Sequence, residues 1–194
     1  MNILSLAFFT TLSFALAFVT PSFSIMAAAA NSETATTLIH EQLPLYSKIY
    51  DEKRDPFKDA AAAIQLASQT NRNVLIEIGG NWCVWCQKID AFLTANPDIY
   101  QALHQNFVRL KVNVSDANDN QAFMSGLPPV LGYPHMYVST GQGKVILSKD
   151  TAEFLHDGKY SRAQWLDFIN QWQAANNERN LKRQQAISST KPQR

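Results

Sequence analysis

The sequence predicts an α/β domain with a central mixed sheet of about four strands and helices on both of its faces. Three observations carry that expectation. Short apolar runs at residues 74–78, 107–114, 135–138 and 144–147 read as strands. Helical patterns separate the first two, so these pair in parallel across a right-handed crossover. Only the turn-forming Thr140-Gly141-Gln142-Gly143 separates the last two, which makes them a hairpin.

Composition bounds the possibilities before any element is placed. The chain has 194 residues, 46% of them hydrophobic and 17% charged, which is the balance of a globular domain. Lys and Arg number 17 against 16 Asp and Glu, so the basic stripe of a nucleic-acid binder is missing. The first charged side chain is Glu33, preceded by an apolar stretch over residues 3–19, Pro21 and the run Ala27-Ala28-Ala29-Ala30. This pattern predicts an export signal over residues 1–30, cleaved after one of Ala28 to Ala30. Because no Lys or Arg precedes the apolar run, an uncleaved membrane anchor is the alternative. Against the anchor, the run is interrupted by Ser5, Thr10, Thr11 and Ser13 and is short beside the ~20 residues of a bilayer span.

Residues 31–54 read as a loosely docked N-terminal extension, in which Leu38, Leu43, Leu45, Ile49 and Tyr50 follow no clean period. Asp55-Pro56 is a helix N-cap followed by proline, with Phe57, Ala60, Ala61, Ile64 and Ala67 on one face and an end near Asn71-Arg72-Asn73. The strand at 74–78 contains one polar residue, Glu77, either an edge carboxylate facing water or a buried one that needs a partner. Ile89, Phe92 and Leu93 mark the next helix, and Asn96-Pro97-Asp98 opens another that runs to about His104. Residues 115–126 form a polar, weakly helical connector, and Pro128-Pro129 and Gly132-Tyr133-Pro134 break regular structure. Residues 150–159 read as a polar loop. Ser161 and Gln164 form a capping box before a helix with Trp165, Phe168, Ile169 and Trp172 on one face. The folded domain therefore spans residues 55–175. A polar tail, 176–194, is helical to about Ile187 and disordered from Ser188 onward.

The chemistry centres on the only two cysteines, Cys83 and Cys86, where an apolar strand gives way to a helix. At a helix start the first sulfur meets unpaired backbone N–H groups and the positive end of the helix dipole, both of which favour thiolate. Cys83 is thus the candidate nucleophile, and Cys86, one turn into the helix, the thiol that resolves a mixed disulfide. Two cysteines are half of a zinc site, and no histidine stands at a companion spacing. Copper(I) accepts two thiolates, and His135 or Met136 could approach them, so a copper carrier is one alternative. A purely structural disulfide is another. His40, His104 and His156 are isolated in polar settings and read as solvated residues without a role.

Over roughly residues 55–172 the sequence resembles the thioredoxin superfamily, and in particular its exported bacterial branch with a tryptophan before the second cysteine. The stretch Trp82-Cys83-Val84-Trp85-Cys86-Gln87-Lys88 carries the resemblance, with Glu77 six positions before Cys83 where the family keeps a buried acid. Lys111 falls where the family has a lysine facing that acid, and Gly132-Tyr133-Pro134 matches its cis-proline loop. The resemblance implies a thioredoxin-like fold and a periplasmic thiol–disulfide oxidoreductase that reduces protein disulfides without a cofactor. The anchored alternative would face the same compartment. It also implies Glu77 as proton acceptor for Cys86, Lys111 as the group that tunes it, and Trp82, Trp85, Tyr133 and Pro134 as the rim on which substrate docks. The implied partners are disulfide-containing proteins and a membrane thiol electron donor; disulfide oxidase or isomerase activity is the alternative within the fold. Two departures stand out: Val84-Trp85 replaces the common Gly-Pro, and the acid is Glu rather than Asp. Val84-Trp85 supplies no cation and no hydrogen-bond donor as close to Cys83 as a histidine between the cysteines would, which predicts a moderately reducing pair.

Overall fold

The computed structural model describes residues 37–189. The expected export signal and the last residues of the tail, 190–194, lie outside that range. A helical stretch over residues 37–42 (α1) and the short helix Leu45–Lys48 (α2) come first. They are followed by α3 (Pro56–Thr70), β1 (Asn73–Gly79), α4 (Val84–Ala95), α5 (Pro97–Asn106) and β2 (Phe107–Asn113). Next come α6 (Gln121–Met124), β3 (His135–Ser139), β4 (Val145–Asp150) and a 3-10 turn at Thr151–Phe154. A two-residue pair of strands, β5 (Leu155–His156) and β6 (Lys159–Tyr160), leads into α7 (Arg162–Ser189).

Four strands form one mixed sheet in the order β2-β1-β3-β4. β1 and β2 are parallel, as a helical crossover requires, whereas β3 pairs antiparallel with both β1 and β4. Side chains alternate between the two faces, and each face has its own core. Val74, Ile76 and Ile78 of β1 join Val108, Leu110 and Val112 of β2 beneath Ala63 and Ala67 of α3. Leu75 and Phe107 point the other way, into a cluster built from Ile89 and Leu93 of α4, Leu103 of α5 and Trp165, Phe168 and Ile169 of α7. Alternation then dictates where the polar strand residues go. Glu77, Arg109 and Lys111 share parity with Leu75 and Phe107, so all three lie on the α4 side and are buried there.

Local signals place the helix ends. The Asp55 carboxylate accepts from the backbone N–H of Phe57 at 2.9 Å and of Lys58 at 3.3 Å, and Pro56 fills the first helical position. α3 ends on Asn71 in the left-handed conformation, φ 53. Its buried face differs from the predicted one: Asp59, Ala63 and Ala67 point inward and Phe57 is exposed. The polar member is accommodated because Arg54 donates to both oxygens of Asp59, at 2.6 and 2.5 Å. Asn96 precedes α5 as expected but makes no side-chain cap; its amide donates back to Phe92 O at 2.6 Å.

Three segments depart further from the sequence reading. The extension at 31–54 is firmly docked where the structure describes it, with Tyr46, Ser47 and Tyr50 buried and Ser47 Oγ donating to Arg109 O at 2.5 Å. These are long-range contacts, to which a search for local periodicity is blind. The expected polar loop at 150–159 is the 3-10 turn and the β5–β6 pair, and it drives Phe154 into the core against Trp165, ring centroids 4.4 Å apart. Ser188 and Ser189 are helical rather than disordered. The tail also has an anchor at its start, where the buried Asn176 donates to Asn106 Oδ1 at 3.0 Å.

Candidate functional site

β1 delivers the chain to the site through Gly79 and Gly80, and Cys83 is the N-cap of α4. The two cysteines are joined as a disulfide. Cys83 Sγ accepts from the backbone N–H of Cys86 at 3.1 Å, so the helix terminus supplies the contact expected to stabilise a thiolate there. Both cysteines are nearly covered, Cys83 at 3% exposure and Cys86 at 1%, and Tyr50 and Trp85 pack against them. Gly79 has no room for a side chain. A Cβ there would stand 2.4 Å from Cys86 Sγ and 2.9 Å from Tyr50 Oη.

Glu77 sits behind the pair and is fully buried, so it is a core carboxylate rather than an edge residue facing water. Its direct partner is Arg109, whose Nε and Nη2 both donate to Oε2, at 2.8 and 2.5 Å. Lys111 lies opposite Glu77 in the strand register but donates instead to Asp90 Oδ2, at 2.6 Å. Arg109 Nη2 also donates to Asp90 Oδ1 at 2.8 Å. Tyr50 closes the cluster: its hydroxyl donates to Glu77 Oε1, and Lys111 Nζ lies 4.7 Å from its ring centroid. Two carboxylates thus face two cations, the balance that buried charges require.

The electrostatics follow from burial and this pairing. Burial, then the charge of Glu77, raises the Tyr50 hydroxyl pKa well above its usual value, so the phenol stays protonated. Burial and Arg109 lower the Lys111 ammonium, with Glu77 and Asp90 opposing them. Burial would raise Asp90, but Arg109 and Lys111 outweigh it and hold the carboxyl below its ordinary range. Burial would likewise lower Arg109, and Glu77 with Asp90 reverses that direction.

The opposite wall is the loop before β3. Tyr133-Pro134 is a cis peptide, and Thr151 Oγ1 fastens the loop by donating to Pro134 O at 2.6 Å. Trp82 and Tyr133 meet edge to face at 5.3 Å, and Trp82 Nε1 donates to Val114 O at 2.6 Å. Trp82, Val84, Leu131 and Tyr133 are exposed around the sulfur pair. Beyond Trp85, which meets Tyr160 edge to face at 5.8 Å, a groove of about 320 Å³ runs along Tyr133 and Pro134. All four residues expected to form the rim are therefore at one place in the structure.

The remaining sequence candidates fall elsewhere or are altered by their surroundings. His135 is buried, with Nε2 2.8 Å from Ser148 Oγ, and Met136 is buried in the core. Among the described residues no group of three or more His, Cys, Asp or Glu could hold a metal. His104 is not solvated: it is 5% exposed, packed on Tyr100 with ring centroids 4.5 Å apart, and burial lowers its pKa to about 3. His40 Nδ1 lies 3.0 Å from the Tyr100 hydroxyl, and His156 is exposed. Three members of the site escaped the sequence reading. Asp90 had a signal, since it stands one helical turn beyond Cys86 on the same face. Arg109 had one too, because it shares parity with Lys111 and reaches Glu77 diagonally across the strand pair. Tyr50 had none, its contact with Glu77 spanning 27 residues of sequence.

Comparison with known proteins agrees with this architecture. Residues 55–139 match a family described as thioredoxin-like. No curated protein matches the chain. Among solved structures, a disulphide isomerase from Xylella fastidiosa Temecula1 is similar at TM-score 0.55 and 24% identity, over 67% of this chain and 96% of its own. The C-terminal domain of DsbD from Neisseria meningitidis, in its oxidised form, aligns at TM-score 0.48 and 17% identity, over 61% of this chain and 96% of that domain. The fold and the paired cysteines at a helix start support thiol–disulfide redox chemistry. Residues 55–139 thus form a thioredoxin-like domain, within a fold shared with the isomerase structure.

Proposed function

We propose that the protein reduces protein disulfides by exchange through Cys83 and Cys86. One observation carries the reading: Cys83 caps α4 and accepts the N–H of Cys86, while the buried Glu77, Arg109 and Lys111, with the half-exposed Asp90, form a charge-balanced cluster behind it. In the reduced protein Cys83 thiolate attacks a substrate sulfur, forming a Cys83–substrate disulfide and releasing the other substrate sulfur as a thiolate, which takes its proton from solvent. Cys86 then loses its proton and attacks Cys83. The Cys83–Cys86 bond forms and the bond to substrate breaks; the substrate carries off the two electrons, and its second sulfur leaves as a thiolate that takes up the proton Cys86 gave up. Glu77 is the base proposed for the Cys86 proton. Lys111 acts on that base indirectly, through Asp90 and Arg109. The exposed rings of Trp82 and Tyr133, with Trp85 and Pro134, give a substrate chain an apolar seat beside the sulfurs.

The reducing direction rests on Val84-Trp85, which supplies no cation and no donor as close to Cys83 as a histidine between the cysteines would. Lys88, the nearest cation in sequence, lies over the Trp85 ring at 3.8 Å. The apolar N-terminal run supports action outside the cytoplasm, where a pair kept reduced needs electrons delivered across the membrane. Among the described residues no helix is long and apolar enough to cross a membrane. The test is a Cys86→Ala variant expressed in cells, which should accumulate mixed disulfides on Cys83 with exported proteins. Recovery of free Cys83 alone, with no adduct, would contradict the proposal.

A further inference from the structure

We infer that the Tyr50 hydroxyl is the relay by which the Cys86 proton reaches Glu77; the inference rests on the exchange mechanism proposed above and specifies its proton path. Tyr50 comes from the segment after α2 and packs with Cys83 and Cys86 in one buried cluster. Its hydroxyl oxygen and Cys86 Sγ both border the space that a Gly79 side chain would fill. The segment is held in place by Asn81, whose amide donates to Tyr50 O at 3.2 Å, and by Ser47 on Arg109 O at 2.5 Å.

Hydrogen-bond polarity sets the direction. The phenol donates its one proton to Glu77 Oε1, which leaves its oxygen lone pairs to accept from the Cys86 thiol. When Cys86 ionises, its proton passes to the Tyr50 oxygen as the phenol proton moves onto Glu77 Oε1. Tyr50 ends neutral, Glu77 ends protonated, and the Cys86 thiolate is free to attack Cys83. Oε1 is the suitable oxygen, because Arg109 takes both of its hydrogen bonds to Glu77 at Oε2. Arg109, Asp90 and Lys111 are the other charged groups facing this path. A rival exit exists, since a cavity of about 220 Å³ reaches Cys86 and is lined by Tyr50, Asp90, Lys111 and Lys48. Both oxygens of Asp90 are already held there by Arg109 and Lys111, which disfavours it as the acceptor.

The experiment mixes the reduced protein with an aromatic disulfide reagent whose released thiol is coloured, and follows release in time at several pH values. Attack by Cys83 releases the first equivalent, and resolution by Cys86 releases the second. For Tyr50→Phe, which keeps the ring, the first phase should be unchanged and the second slowed by about tenfold or more near neutral pH. The gap should close at alkaline pH, where Cys86 ionises without help; a packing defect would persist at every pH. Adding Glu77→Gln to Tyr50→Phe should slow the second phase no further, as groups in series do not add. A second phase in Tyr50→Phe equal to that of the unaltered protein would overturn the relay. So would slowing by Asp90→Asn with Tyr50→Phe silent, which assigns the proton to the cavity. Absence of the first phase in the unaltered protein would instead remove the exchange mechanism itself.

Discussion

Arg109 holds the centre of the buried cluster, and removing it isolates a charge in the core. Arg109→Met would leave Glu77 at 0% exposure with no cation donating to it, at a cost of about 3–5 kcal/mol. Adding Glu77→Met should restore most of that stability, since an apolar pair of similar volume often replaces a buried ion pair without loss; denaturant unfolding of both variants checks this. His104 makes a separate prediction. Its folded pKa is about 3 against an ordinary 6.5, so between those values the unfolded chain takes up a proton that the folded one refuses. Stability should therefore fall by about 1.4 kcal/mol per unit as pH drops through that window. His104→Leu should flatten the slope, as read by denaturant midpoints from neutral pH to pH 4. Asp90, whose pKa is lowered, loses its contribution only below the ordinary carboxylate range, so the two effects separate. At this scale the cysteines and Glu77 were legible because each breaks its local pattern. Arg109 was not, since a charged residue in an alternating strand is ordinarily a solvated one.

Elements were legible wherever a local rule sets them. The Asp55-Pro56 start of α3, the strand–helix junction at the cysteines and the hairpin all follow from residues within a few positions of one another. The segments misread are those fixed by distant contacts. Residues 150–159 look polar, yet Phe154 at 1% exposure stacks on Trp165 and makes this segment part of the core. Phe154→Ala should cost about 3–5 kcal/mol, the loss typical of a buried aromatic; a loss under about 1 kcal/mol would mean the turn is only a loop. The same reasoning applies to α2 and the residues after it, whose apolar positions have no helical period because they answer to β2 and to the site.

At the scale of the whole molecule, the mixed sheet brings together groups that sequence scatters. Alternation puts Glu77, Arg109 and Lys111 on one face, α4 lays Asp90 and Cys86 over them, and the docked N-terminal segment inserts Tyr50. The overall topology was legible because crossover and hairpin rules leave few alternatives for this order of elements. The closed charge cluster was not, because it depends on three separate elements meeting. The central claim is that Cys83 and Cys86 form an exchanging, reducing pair. Its most direct test is the reduction potential, measured by equilibrating the protein in thiol–disulfide buffers of graded ratio and counting free thiols. The account predicts reversible two-electron exchange at a potential below that of the glutathione couple. A potential above that couple, or a disulfide that resists strong dithiol reductants, would contradict it.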